Sequence, residues 1–344
     1  MRYTLAAALP ALLASTSCSL NKFAINKLGD ALANPGTTYA ADDDPALIEQ
    51  AVPFSLKLIE SLLESSPKHE GLLLAAASGF TQYSYAFVQQ KADSIEDKDL
   101  AAATALRERV RRLGLRARNY GLRGLDVRHA GFAEALRRDP RAAVRQATRA
   151  DVPFLYWTAA ALGTAISVSK EIPELVADQP ILEALIDRAL ELDETFNAGS
   201  IHTFLITYEM SRQGPTDDPA VRSRRHFDRA VAITQGQSAS PYVSFAEAVS
   251  LTKQDRAEFE SVLNKALAID ANARLEWRLE NLIMQQRARW LLSRAPDLFL
   301  GAVPPDNLVV IPRSDATRNL QLFCNCRSLA SLGMTGGLGI TEWR

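Results

Sequence analysis

Three stretches of this chain are versions of one another: Arg188-Ala-Leu-Glu-Leu-Asp-Glu, Arg229-Ala-Val-Ala-Ile-Thr-Gln and Lys265-Ala-Leu-Ala-Ile-Asp-Ala, with starts 41 and 36 positions apart. A recurrence at that period marks a stacked array, because one helical hairpin cannot bury its own apolar face and needs neighbours to cover it. In each copy a basic residue precedes an alanine (Ala189, Ala230, Ala266). A branched apolar residue follows three positions later (Leu192, Ile233, Ile269), and a hydrophobe stands three positions earlier (Ile186, Phe227, Leu263). This spacing puts all of them on one helix face, where the small alanine lets a neighbouring helix come close. A degenerate copy, Arg123-Gly-Leu-Asp-Val preceded by Tyr120, lies 65 residues ahead of the first. Short basic helices between His129 and Ala150 account for the surplus.

The flanking residues agree with a helical reading. Asp44-Pro45, Ser66-Pro67, Asp139-Pro140 and Ser240-Pro241 each place a capping side chain before a proline whose missing N–H costs nothing in a first turn. Asp151-Val152-Pro153 does the same one residue later. Strand alternation is not convincing anywhere between 44 and 300, and the helix formers Ala, Leu, Arg and Glu dominate. The repeat endings resemble the second helix of the tetratricopeptide repeat, whose period is 34 residues. The expected fold is therefore all-α, a tetratricopeptide-type helix-turn-helix stack of about 11–12 helices. The pairs are 67–90 with 100–127, 151–169 with 180–193, 197–212 with 219–234, and 241–252 with 254–270, and a helix over 274–293 caps the stack.

The two ends read differently. Arg2, the apolar run Leu5 to Ala14 and the small residues Ala14-Ser15-Thr16-Ser17 precede Cys18, the order of a lipoprotein-type signal peptide over 1–18 with Cys18 as the lipidated residue. Ser15 stands where such signals usually carry leucine. Residues 19–43 read as a flexible tether, 44–300 as the helical repeat domain and 301–344, with Pro304-Pro305 and Cys324-Asn-Cys326, as a low-order C-terminal extension. Past the N-terminus charged residues interrupt every apolar run well short of the roughly 20 residues of a membrane span.

Chemistry is sparse. Thirty-nine basic and forty acidic residues leave a net charge of −1, so no overall field draws the chain to nucleic acid. The four histidines are scattered without a HExxH or CxxC grouping, and no metal or cofactor is expected. Gly121 and Gly124 lie in an arginine-rich helix without the strand or lysine of a phosphate loop, and Gly-x-Ser-x-Gly is missing, which argues against an enzyme. The eight arginines from Arg107 to Arg128 read as a solvated face with Asp93, Glu96, Asp97, Asp99 and Glu108 as partners. Phe80, Tyr83 and Phe87 form one helical stripe, with Tyr85 pointing elsewhere, and Phe154-Leu-Tyr-Trp forms a second aromatic cluster. Such stripes are usually core. The other reading is a lined cavity or groove bearing Tyr83, Tyr156 and Trp157, with Lys170, His202, Glu247, Asn281 and Gln285 as its polar groups.

Several longer motifs point to one family. Pro53-Phe-Ser-Leu-Lys with Glu60-Ser-Leu-Leu, Gly79-Phe-Thr-Gln-Tyr, Arg116-Ala-Arg-Asn-Tyr-Gly-Leu-Arg-Gly-Leu, Val152-Pro-Phe-Leu-Tyr-Trp, His226-Phe-Asp-Arg-Ala and Arg287-Ala-Arg-Trp-Leu-Leu resemble the T component of tripartite ATP-independent periplasmic (TRAP) transporters, the TatT-like lipoproteins. The resemblance covers roughly 44 to 300. It implies a periplasmic protein, lipid-anchored at the periplasmic face of the outer membrane, that works beside the solute-binding P component. It also implies a homo-oligomer, a trimer among the options, with a cavity or pore for a small hydrophobic or organic-acid ligand. Two further readings stay open: a generic periplasmic scaffold for envelope protein assembly, and a helical hydrolase or lyase.

Overall fold

The computed structural model describes residues 38–214 and 216–299, together with Lys27 and Gly29. Cys18, the signal segment and the 301–344 extension lie outside the described residues. Every regular element among those described is helical: α1 (Pro45–Ser65), α2 (Glu70–Tyr83), α3 (Gln90–Ile95), α4 (Leu100–Arg128), α5 (Phe132–Arg138), α6 (Pro140–Ala143), α7 (Val152–Ser167), α8 (Pro173–Val176), α9 (Gln179–Leu192), α10 (Phe196–Tyr208), α11 (Pro219–Thr234), α12 (Ser240–Phe245), α13 (Arg256–Leu267), α14 (Arg278–Ser293) and α15 (Ala295–Leu298).

Aspartates start many of these helices by accepting orphan first-turn N–H groups: Asp44 from Ala46 and Leu47, Asp99 from Ala102, Asp139 from Ala142, Asp218 from Ala220 and Asp255 from Glu258. Ser66-Pro67 does not start a helix. The Ser66 N–H closes the last turn of α1 on Leu62, Pro67 sits in the turn, and His69 Nδ1 caps α2 by accepting from Leu72. The helix expected over 67–90 thus begins three residues later.

Neighbouring helices pack as antiparallel pairs along the chain: α1 with α2, α2 with α4, α4 with α7, α7 with α9, α10 with α11, and α12 with α13. The repeat residues make these contacts. Ala189, Ala230 and Ala266, near the ends of α9, α11 and α13, have no accessible surface, and Ile186, Phe227 and Leu263 are buried beside them. In the degenerate copy Gly124 takes the alanine position. A Cβ there would lie 2.0 Å from Phe154 Cε1, and one on Gly121 would lie 2.1 Å from Thr158 Oγ1, so α4 and α7 meet more closely than side chains permit.

Two π-helical turns interrupt otherwise regular helices, Ser84–Gln89 between α2 and α3 and Ala246–Ser250 after α12. A π turn adds a residue to the turn and re-aims the side chains on it. A second irregularity opens α10, where Asn197, Ala198 and Gly199 have left-handed φ values of 46°, 54° and 79°.

The helix expected to cap the stack does something different. Besides α12 and α13, α14 packs on α1 at the opposite end of the chain. The Leu279 N–H donates to Ala40 O at 2.9 Å, Arg278 pairs with Asp43 at 3.0 Å, Arg287 pairs with Asp93 at 2.8 Å, and Arg294 pairs with Asp97. The series of hairpins therefore closes on itself.

Candidate functional site

The closure is built around one guanidinium. Arg287 of α14 is buried; its Nε and Nη2 donate to Glu247 Oε1 at 3.0 and 2.7 Å, and Nη2 donates also to Asp93 Oδ2 at 2.8 Å. Glu247 lies on one π turn and Asp93 on α3 directly after the other, so both irregular turns converge on this residue. Trp290, one turn further along α14, places its ring 4.4 Å from the guanidinium carbon. Burial alone would lower the arginine pKa, but the two carboxylates outweigh it and raise the value, so the cation is fixed.

Tyr85, on the first π turn, lies close enough to this cluster to feel its charges. It keeps 37% of its surface accessible, yet surrounding protein desolvates the phenol strongly and, with Glu247, pushes its pKa up. Glu280 of α14 is likewise exposed while burial raises its pKa against the hydrogen bond from Ser240. Glu280 acts electrostatically on Tyr85 and also on Tyr156, which belongs to α7. Helix α7 packs with α2, α4 and α9, and α14 with α12, α13 and α1, so the groups that interact here come from separate parts of the stack.

The residues expected from the sequence fall into several places. Glu247 is part of the Arg287 cluster. Tyr156 is buried, its ring 4.9 Å from half-buried Trp157 and 5.4 Å from Phe196. Tyr83 is buried beside Phe87, with the Arg109 guanidinium 5.7 Å from its ring centre. Asn281 accepts from Ala239 N and donates to Gln237 O, and Gln285 donates to Ala266 O and Ile269 O, so both amides tie down neighbouring chain turns. Lys170 is half-buried just after α7. Of the arginine partners expected, Glu96 and Asp93 meet Arg107, and Glu108 meets Arg111 and Arg112. Asp97 instead meets Arg294, and Asp99 caps α4. Arg287, Tyr85 in its place beside the cluster and Glu280 were not singled out by sequence, since only the chain closure brings them together.

His202 belongs to a separate cluster. Its Nε2 lies 3.2 Å from Glu194 Oε2 and its Nδ1 2.9 Å from Nδ1 of His226. Glu194 also takes a bidentate Arg229, which with His202 holds it down to about 2. If Nε2–H of His202 donates to the carboxylate, its Nδ1 accepts from His226 Nδ1–H and both rings are neutral. Burial lowers both pKa values, that of His226 to about 4 with His202 contributing. A base depressed when folded loses stability as pH falls from its ordinary 6.5 toward 4, because the unfolded chain takes the proton first. Urea denaturation is expected to show lower stability at pH 5 than at pH 7. His226→Asn, which keeps the donor without the titration, is expected to flatten that slope; an unchanged slope would assign it elsewhere.

Among the described residues no group of three or more His, Cys, Asp or Glu could hold a metal ion, and no helix is long and apolar enough to cross a membrane. Fold and site together define a class: a stack of helical hairpins in which a late helix, α14, returns to the start of the described chain through a buried arginine–carboxylate cluster. The chain belongs to the TRAP transporter T-component family, whose family model matches residues 41–299. It is also similar to an uncharacterized protein of Treponema pallidum (strain Nichols), 26% identical over 301 residues, which cover 82% of this chain and 93% of that one. Membership ties the chain to TRAP transport as an accessory component.

Proposed function

We propose that this protein is a periplasmic, lipid-anchored scaffold that holds the solute-binding P component of a TRAP transporter and shelters a small ligand in its ring. The observation that carries the reading is membership of the TRAP T-component family, and the ligand site is placed at Tyr85 and Glu280, exposed groups that protein nonetheless desolvates, beside helix α14. Asp93 and Glu247 already neutralise Arg287. The wall thus favours an uncharged, largely apolar ligand with a hydrogen-bonding group over an organic acid. Anchoring raises the local concentration of the P component at the membrane without new contacts. Gentle solubilisation and capture through a tag placed after residue 300 is expected to recover a TRAP-type solute-binding protein in near-stoichiometric amount. Recovery of envelope-assembly proteins alone would overturn the reading.

A homo-oligomer is part of this proposal. On α1, Leu47 and Phe54 are 54% and 74% exposed, and half-buried Ala51 and Leu58 complete an apolar stripe at helical spacing. Phe54→Asp is expected to shift the protein to monomer in sedimentation velocity without changing its helicity; an unchanged sedimentation coefficient would remove α1 from the interface.

A further inference from the structure

The connection between α4 and α7 buries Phe132, Leu136 and Val144 in the core and turns a basic face outward. Over 132–149 it carries Arg137, Arg138, Arg141, Arg145 and Arg149 against Glu134 and Asp139, within a chain whose net charge is −1. All five arginines are exposed. Arg138 pairs with Glu134 and Arg149 with Asp193, but in pairs whose arginines are 76% and 75% exposed, which neutralise little of the field outside. Asp139 is committed to the first turn of α6.

The insertion's place in the fold follows from connectivity. Arg128, the last residue of α4, pairs with Glu70, the first of α2, and with Asp151, which precedes α7. One end of the body therefore gathers the C-terminus of α4 and the N-termini of α2 and α7, with the insertion between them. The N-terminal chain arrives at this same end. Gly29 is buried against His69 and Leu72, where a Cβ would stand 2.9 Å from His69 Nε2 and 3.0 Å from Leu72 Cδ1. Cys18 stands eleven positions before Gly29, and even fully extended that stretch reaches at most about 40 Å. An anchor at Cys18 thus holds the arginine-bearing end toward the bilayer.

We propose that the 132–149 insertion docks on anionic phospholipid headgroups and sets the ring's orientation on the membrane. The orientation rests on the anchoring reading above, while headgroup binding does not. Each arginine near an anionic surface contributes on the order of 1 kcal/mol, and the effect fades within a Debye length, so several together bind measurably at low salt.

The test uses the full chain carrying Cys18→Ala, so that no acyl group contributes, floated with phosphatidylcholine vesicles and with vesicles in which a third of the lipid is phosphatidylglycerol. Partition is expected to be about ten-fold or more higher on the anionic vesicles at low salt and to fall at high salt. Arg137→Gln, Arg138→Gln, Arg141→Gln and Arg145→Gln together are expected to bring it to the phosphatidylcholine level with unchanged helicity. Equal partition on the two vesicles, or anionic binding untouched in that variant, would overturn the proposal. In cells, a photo-crosslinking residue at exposed Ala142 is expected to give phospholipid adducts; a protein adduct instead would reassign the patch to an acidic partner. Anionic binding without an acyl chain on the native Cys18 would remove the anchor and keep the docking.

Discussion

Arg287→Met is expected to lower the free energy of unfolding by about 3–5 kcal/mol, since it leaves Glu247 buried without its cation and Asp93 with the more distant Arg107, at 3.7 Å. Both carboxylates are nearly inaccessible, at 2% and 8% exposure, and each accepts at least one hydrogen bond from the guanidinium. Methionine fills much of the volume, so the loss reports charge more than cavity. In a protein of this size the melting temperature falls by about 10 °C for such a change. Adding Asp93→Asn and Glu247→Gln to Arg287→Met is expected to recover a large part of the loss, because it removes the unpaired charges as well. Urea denaturation of the three variants measures this directly. A single-variant loss below about 1 kcal/mol would show that the cluster is not what holds α14 in place.

Gly124→Val is expected to cost about 3 kcal/mol, at the upper end of overpacking. On an exposed helix, replacing glycine gains up to about 1 kcal/mol of propensity, so a loss here must come from the contact. Phe154, whose ring a Cβ would meet at 2.0 Å, is 1% exposed, and the Arg128 guanidinium lies 5.2 Å from its centre, leaving the ring little room to move. Phe154→Leu in the same chain is expected to restore part of the stability, with a coupling of about 1 kcal/mol or more in the double-mutant cycle. If Gly124→Val is neutral by urea denaturation, the α4–α7 contact tolerates separation and the close approach has no energetic role.

Much of the helical plan was legible in the sequence, and the reason is local. Aspartate caps before α1 and α6 and the alanines at 189, 230 and 266 act within one turn or one hairpin, so spacing alone exposes them. The expected pair 151–169 with 180–193 is observed as Val152–Ser167 with Gln179–Leu192. Gly124 was legible as part of a degenerate repeat copy and Gly121 only as unsuited to phosphate; how closely both let α4 approach needed α7 beside them. Ser66-Pro67 misled because a serine–proline pair reads alike in a turn and at a helix start. Asp93 was recognisable as a partner for arginine, and it does meet Arg107, but its bond to Arg287 spans 194 positions. No periodic pattern carries that distance, and the same holds for Tyr85, whose exposure and enclosure depend on elements from both ends of the chain.

The join between α1 and α14 changes how such a molecule must be made. An open array can grow and fray one unit at a time, its last unit dispensable. Here Asp93, with Arg107 3.7 Å away, and Glu247 both precede the guanidinium that joins them near the end of the body, so a partly emerged chain lacks the bonds that Arg287 supplies. Completion is then a single late event: the molecule acquires its interior only when the final long helix docks, and a chain truncated before Arg278 is expected to be a substrate for proteases, not a shorter working ring.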